Sequence, residues 1–130
     1  MKTNIIKQKV RFKASPLQVY SALMDSKKHS GFTGEPAKIS AKEGGKFTAY
    51  GDYISGVNLA LIPGKKIVQS WRASDWEEGA SSTVTFVFVP EKNGTLLEFL
   101  HEGVPAPEAK DIKQGWMDYY WKPMKEMFEA

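Results

Sequence analysis

Two histidines, His29 and His101, are the only imidazoles in this 130-residue chain, and cysteine is absent. Nucleophilic catalysis asks for an activated serine, threonine, cysteine or lysine beside a base, and no G-x-S-x-G elbow occurs. His101 shares strand parity with Phe99, which aims it at the interior. There it reads either as a hydrogen-bonded residue at a strand end or as a proton donor and acceptor whose pKa burial moves across neutrality. His29 falls in a short helical segment and reads as exposed. Neither H-x-x-x-H nor H-E-x-x-H spacing is present, so no metal site is expected. No catalytic residue and no cofactor is assigned.

A second set is Trp71, Arg72, Asp75 and Trp76. A guanidinium stacks on an indole while pairing with a carboxylate, so Arg72 with Asp75 or a neighbouring glutamate would order a strand exit. Alternatively Tyr53, Trp71, Arg72 and Trp76 form a pocket mouth that receives an anionic group. The third set is GWMDYYWKPM, residues 115–124, where Trp116, Tyr119, Tyr120 and Trp121 crowd ahead of Pro123. Each aromatic removes about 150–250 Å² from water, enough to outweigh the roughly 3 kcal/mol cost of an interior proline. The segment reads as a bent helix that walls a cavity or plugs a core. Phe86, Phe88, Phe99, His101, Trp116, Tyr119 and Tyr120 are the expected contacts of a small apolar or amphipathic ligand.

The elements that must position these residues follow from periodicity. Ile6, Val10 and Phe12 alternate with Lys7, Lys9, Arg11 and Lys13, a strand with one wet face. That wet face also accounts for the basic strip without nucleic acid, since no aromatics interleave with it. Ser15, Pro16 and Gln18 spell a capping box opening a helix to about Met24. Asp25 or Ser26 caps a second short turn through His29 and Phe32, ended by Gly31 and Gly34. From 36 to 102 the chain is strands separated by turn residues, the clearest hairpin pairing Val84, Phe86 and Phe88 with Leu97, Phe99 and His101 near Asn93-Gly94. Gly44-Gly45 is a turn and not a phosphate loop. A helix from about Pro107 carries Ile112, Trp116, Tyr119, Tyr120, Pro123 and Met127 on one stripe and Met117, Trp121, Met124 and Phe128 on another. The second stripe must face the short helices or another subunit, which makes a homodimer an expectation.

The order implies an α+β domain: a curved antiparallel sheet of about seven strands, two short helices, and a long C-terminal helix covering one face. Residues 1–130 are expected to form one domain. A net charge of +3 is too small and too spread to demand nucleic acid. No signal-like stretch or ~20-residue apolar run occurs, so no membrane contact and a cytoplasmic address are expected.

The motifs ASP (14–16), GGKF (44–47), ISG (54–56), IVQSWRASDWEEG (67–79), GVPAPE (103–108) and GWMDYY (115–120) together resemble the C-terminal domain of the activator of the ninety-kilodalton heat-shock chaperone's ATPase. They are similar also to the stand-alone bacterial proteins named after that domain. The likeness covers nearly the whole chain. It implies the START-like, helix-grip fold related to the birch-pollen allergen, in which a sheet grips a long helix around a pocket. It also implies a heat-shock chaperone as partner and a non-enzymatic role, although some distant relatives are cyclases or hydrolases. In the eukaryotic activator a separate N-terminal domain makes much of the chaperone contact, whereas this sequence starts at the helix-grip domain.

Overall fold

The structure, a computed structural model, describes residues 2–129. Strand β1 (Thr3–Phe12) leads into helices α1 (Pro16–Met24) and α2 (Ser26–Thr33). Then come β2 (Lys38–Ile39), β3 (Lys46–Ala49), β4 (Ile54–Ile62), β5 (Lys66–Ala73), β6 (Ser82–Glu91) and β7 (Gly94–Pro105). A 3₁₀ turn (Ala106–Glu108) opens the terminal helix, which runs as α3 (Ala109–Trp116), a π-helical segment (Met117–Trp121) and α4 (Lys122–Glu129). All seven strands form one antiparallel sheet in the order β1-β7-β6-β5-β4-β3-β2. The expected α+β architecture is thus the observed one.

Local chemistry explains the boundaries. The Ser15 hydroxyl accepts from Gln18 N–H at 3.2 Å while Gln18 Oε1 accepts from Ser15 N–H at 2.8 Å, which is the reciprocal cap read from the sequence. Asp25 caps α2 through Lys28 N–H at 2.9 Å. At the β6–β7 hairpin Gly94 sits at φ 152°, and a Cβ there would lie 2.0 Å from the Phe12 carbonyl, so only glycine lets β1 close over the turn. Gly103, at φ 76°, forms with Glu102 a bulge opposite Ile5, between the pairs Asn4–Val104 and Ile6–His101. The extra residue resets parity, so that both His101 and Val104 face inward.

The terminal helix lies across the concave face, and its distortion has one donor from β1 and one from the β3–β4 turn. Met117 N–H turns to the Gln114 carbonyl, and the Lys113 carbonyl accepts instead from Gln8 Nε2–H of β1 at 3.2 Å. Lys122 N–H reaches back to the Met117 carbonyl, the wider π turn. Pro123 has no N–H to offer the Tyr119 carbonyl, which accepts the Tyr50 hydroxyl at 3.2 Å. The proline is therefore accommodated by a π segment bonded to β1 on one side and to the β3–β4 turn on the other. A wider turn advances fewer degrees per residue, so Tyr120 and Trp121 both point inward and Tyr119 is turned out.

Candidate functional site

The space between sheet and helix is where the sequence placed a pocket, and it is filled. Phe86 and Phe99 (ring centroids 5.2 Å apart) meet Trp116 at 6.0 and 4.5 Å and Trp121 at 6.4 and 5.2 Å. Trp116 stacks on Trp121 at 5.6 Å and touches Tyr120 at 4.5 Å. The remaining cavity, bordered by His29, Gln69, Trp71, Phe86, Trp116 and Tyr120, measures about 10 Å³. That is room for one water at most. Among the described residues no buried side-chain nitrogen or oxygen lacks a partner.

Two histidines pin the helix inside this core. His101, from β7, is wholly buried. Indole Nε1–H of Trp116 donates to its Nδ1 at 3.1 Å. An indole nitrogen only donates, so His101 carries its proton on Nε2, which gives it to Ser82 Oγ at 2.7 Å. The Ser82 hydroxyl passes its own to the Trp71 carbonyl at 3.0 Å. Burial alone lowers the His101 pKa to about 3. The imidazole is neutral, with both nitrogens occupied, and no lone pair remains for a substrate.

His29 is also buried, at 6% exposure, which corrects the expectation of an exposed residue. Its Nδ1–H donates to the Leu23 carbonyl at 3.2 Å, leaving Nε2 to accept the Tyr120 hydroxyl at 2.9 Å. The ring stacks on Phe32 at 5.0 Å. Desolvation lowers its pKa, partly offset by the Leu23 bond. The hydroxyl of Tyr120 is itself pushed far above the ordinary tyrosine range, chiefly by burial and secondarily by Tyr50. The polar segment SKKHSGFT gave no sign of this, because the cover comes from Tyr120, far along the chain.

Of the expected ligand contacts, Phe86, Phe99, His101, Trp116 and Tyr120 converge in the plug. Phe88 packs instead on Tyr20 of α1 at 5.8 Å, and Tyr119 is 58% exposed. The expected mouth is corked: Trp71 and Trp76 are buried 5.5 Å apart. Arg72 donates to the carbonyls of Glu77 (2.6 Å), Ala80 (2.5 Å) and Trp76 (2.6 Å), so it folds the 74–81 segment through backbone oxygens and not through Asp75. Asp75 accepts the Tyr53 hydroxyl at 3.1 Å. Trp121 and Met124 are buried within the chain's own core and Phe128 lies 6.0 Å from Phe12, so three residues of the second stripe are covered by the chain itself, while Met117 is 41% exposed.

Sequence reasoning missed Gln8, which also accepts the Trp121 indole N–H at 2.7 Å, and Ser82. Both had a signal: each is a polar residue at the inward parity of an otherwise apolar strand face. The same parity exposes Gln69 between Ile67 and Trp71, bonded to Asn58 Oδ1 at 2.9 Å. Among the described residues no cluster of His, Asp or Glu could hold a metal ion, and no helix is long and apolar enough to cross a membrane.

Comparison with known proteins gives this arrangement its relatives. The crystal structure of an HSP90 activator from Plasmodium falciparum superposes with a TM-score of 0.91 at 25% identity, over 96% of each chain. The solution structure of the Aha1 dimer from Colwellia psychrerythraea gives 0.81 at 17% identity over 98% and 97%, a likeness of fold. In sequence, the activator of 90 kDa heat shock protein ATPase homolog of Dictyostelium discoideum is 39% identical over 88% of this chain. Homolog 1 of Homo sapiens is 36% identical over 92%. The chain spans only about a third of the length of these curated relatives, 30% and 36%. The profile described as Activator of Hsp90 ATPase homolog 1-like protein matches residues 13–129, and the chain belongs to that family.

Proposed function

We propose that this chain is a non-catalytic protein-interaction module that stimulates the ATPase of a ninety-kilodalton heat-shock chaperone in the cytosol. The observation that carries this reading is the filled interior. With the sheet–helix space reduced to about 10 Å³ and both histidines engaged on their two nitrogens, recognition is left to the outer surface. A regulator of this kind acts by binding the ATP-hydrolysing arrangement of the chaperone more tightly than its resting one, which shifts the population toward turnover. The test is the chaperone's ATP hydrolysis rate with and without this protein, alongside co-purification. A raised rate and a complex are expected; an unchanged rate with no complex at micromolar concentration ends the proposal.

Capture of a small apolar or amphipathic molecule is the second reading. It is favoured by one feature, the polar edges of His29 and Gln69 beside the aromatic walls of the residual cavity. Binding there requires Tyr120 or Trp116 to swing aside. Native mass spectrometry after mild purification tests it, and a bare protein mass with no dye displacement rejects it.

A further inference from the structure

The net charge of +3 conceals an uneven distribution. At the end of the sheet where β4 begins and β5 and β7 finish, segments 50–53, 74–81 and 106–108 carry Asp52, Asp75, Glu77, Glu78 and Glu108, against Lys2, whose carbonyl accepts the Ala106 N–H. At the opposite end, segments 13–15, 40–45, 63–65 and 92–93 carry Lys13, Lys42, Lys65 and Lys92 against the carboxylate of Glu43. Arg72 reaches into the acidic end, where its guanidinium donates to three neutral backbone carbonyls, so its charge offsets one of the carboxylates there. Lys122 lies one helical turn beyond Tyr119, toward the basic end.

The acidic end also holds uncovered aromatic surface. Tyr119 is 58% and Tyr53 46% exposed. Tyr50 comes from the same turn as Tyr53 and stands edge-on to Tyr119 at 5.8 Å. Its backbone is held at φ 53°, a left-handed conformation that bulky residues avoid. The surrounding structure therefore fixes where this ring goes. One carboxylate touches these rings: Asp75 accepts the Tyr53 hydroxyl at 3.1 Å, while burial chiefly, and the nearby charges of Glu108 and Glu35 slightly, raise the Tyr53 and Tyr50 pKa values.

We propose that this tyrosine-bearing, acid-rimmed end is a docking surface for a lysine- or arginine-rich segment of a protein partner. Tyrosine faces attract cations and bury large area at little entropic cost. The carboxylate rim selects positive partners and speeds encounter, while the opposite charge of the far end turns the incoming molecule to present this end first. The same rim repels phosphate backbones and anionic lipid. The inference rests on the interaction-module reading in taking the partner to be a protein.

The test uses a dye-labelled octa-arginine peptide as probe, followed by fluorescence anisotropy at about 50 mM and about 200 mM salt. The intact chain should bind at micromolar concentration, more weakly at the higher salt. The exposed pair Tyr53→Ser/Tyr119→Ser and the pair Asp75→Asn/Glu108→Gln should each weaken binding about tenfold or more. Lys65→Gln/Lys92→Gln should leave it within about twofold, and unchanged unfolding midpoints would exclude misfolding. Absence of binding overturns the proposal. So does loss on carboxylate removal with the tyrosine pair unaffected, which is mere counter-ion attraction. The same variants in the chaperone ATPase assay separate the two ideas. Peptide binding without chaperone stimulation rejects the proposed function alone, whereas stimulation indifferent to the tyrosine pair rejects the docking surface alone.

Discussion

The two buried histidines solve one problem in opposite ways. His101 belongs to the sheet: its proton sits on Nε2 and runs through Ser82 of β6 to a carbonyl of β5, and its other nitrogen takes the Trp116 indole. His29 belongs to a helix, with its proton on Nδ1 against the end of α1 and its free nitrogen under the Tyr120 hydroxyl. Trp116 and Tyr120 are one turn apart, so the terminal helix is held by two side chains that each donate into a neutral imidazole. The partners differ in what they tolerate. An indole N–H cannot accept, so a proton on His101 Nδ1 would face another proton, whereas a phenol hydroxyl can rotate and accept from a protonated His29.

Acid should therefore expose the difference, and this is the largest effect expected. Both histidines hold a proton less readily folded than unfolded. As pH falls through the unfolded value near 6.5, the unfolded chain takes up the proton first. Stability complete above that pH is then lost, and for His101 the loss continues toward its folded value of about 3. No carboxylate or cation contributes to the shift of either ring, and the groups against His101 (Ser82, Trp71, Phe99, Trp116) and His29 (Leu23, Phe32, Tyr120) are neutral. Between pH 6.5 and 5, above the range of ordinary carboxylates, His101 alone should cost about 1.6 kcal/mol. Urea unfolding across that interval measures it. His101→Gln should flatten the slope more than His29→Gln; equal flattening would mean that the rotatable hydroxyl gives Tyr120 no advantage.

A smaller effect sharpens the contrast at neutral pH. Ser82→Ala removes the acceptor for a buried imidazole N–H and the donor to the Trp71 carbonyl, leaving two orphaned groups at a cost of about 1–3 kcal/mol. Tyr120→Phe keeps the ring and orphans one acceptor, His29 Nε2, beside the small cavity, for about 1 kcal/mol. Thermal melts at constant pH should rank Ser82→Ala below Tyr120→Phe. The reverse order would place the tighter latch on α2.

The sequence carried the first site and hid the second for a physical reason. Strand parity is local, so Phe99 betrays which way His101 faces, and the capping box at Ser15 depends only on residues three apart. His29 has a single apolar neighbour on its own helix face, Phe32, too little to mark an inward face; the rest of its burial comes from Tyr120 at the far end of the chain. Pro123 announced a bend, but widening to a π segment depended on Gln8 and Tyr50, one donor from β1 and one from the β3–β4 turn. That widening is also why Tyr119 came out when helical spacing put it in. Whether the aromatics enclose space or fill it depends on how side chains from several strands sum, and no periodicity records a volume.

The smallest effect lies at the helix distortion itself, where the two anchors again differ in burial. Gln8 serves the Lys113 carbonyl and the Trp121 indole from inside the β1 face, while Tyr50 serves the Tyr119 carbonyl near solvent. Water can replace a donor at a half-exposed carbonyl. Tyr50→Phe should thus cost only about 0.5–1 kcal/mol, and it should leave the acid slope unchanged because no titrating group loses its partner. Its ring contacts with Tyr119 and Tyr120 persist in the variant. A loss as large as that of Ser82→Ala, read by the same melts, would show that the Tyr50 bond governs the π segment and that the helix is held at three points and not two.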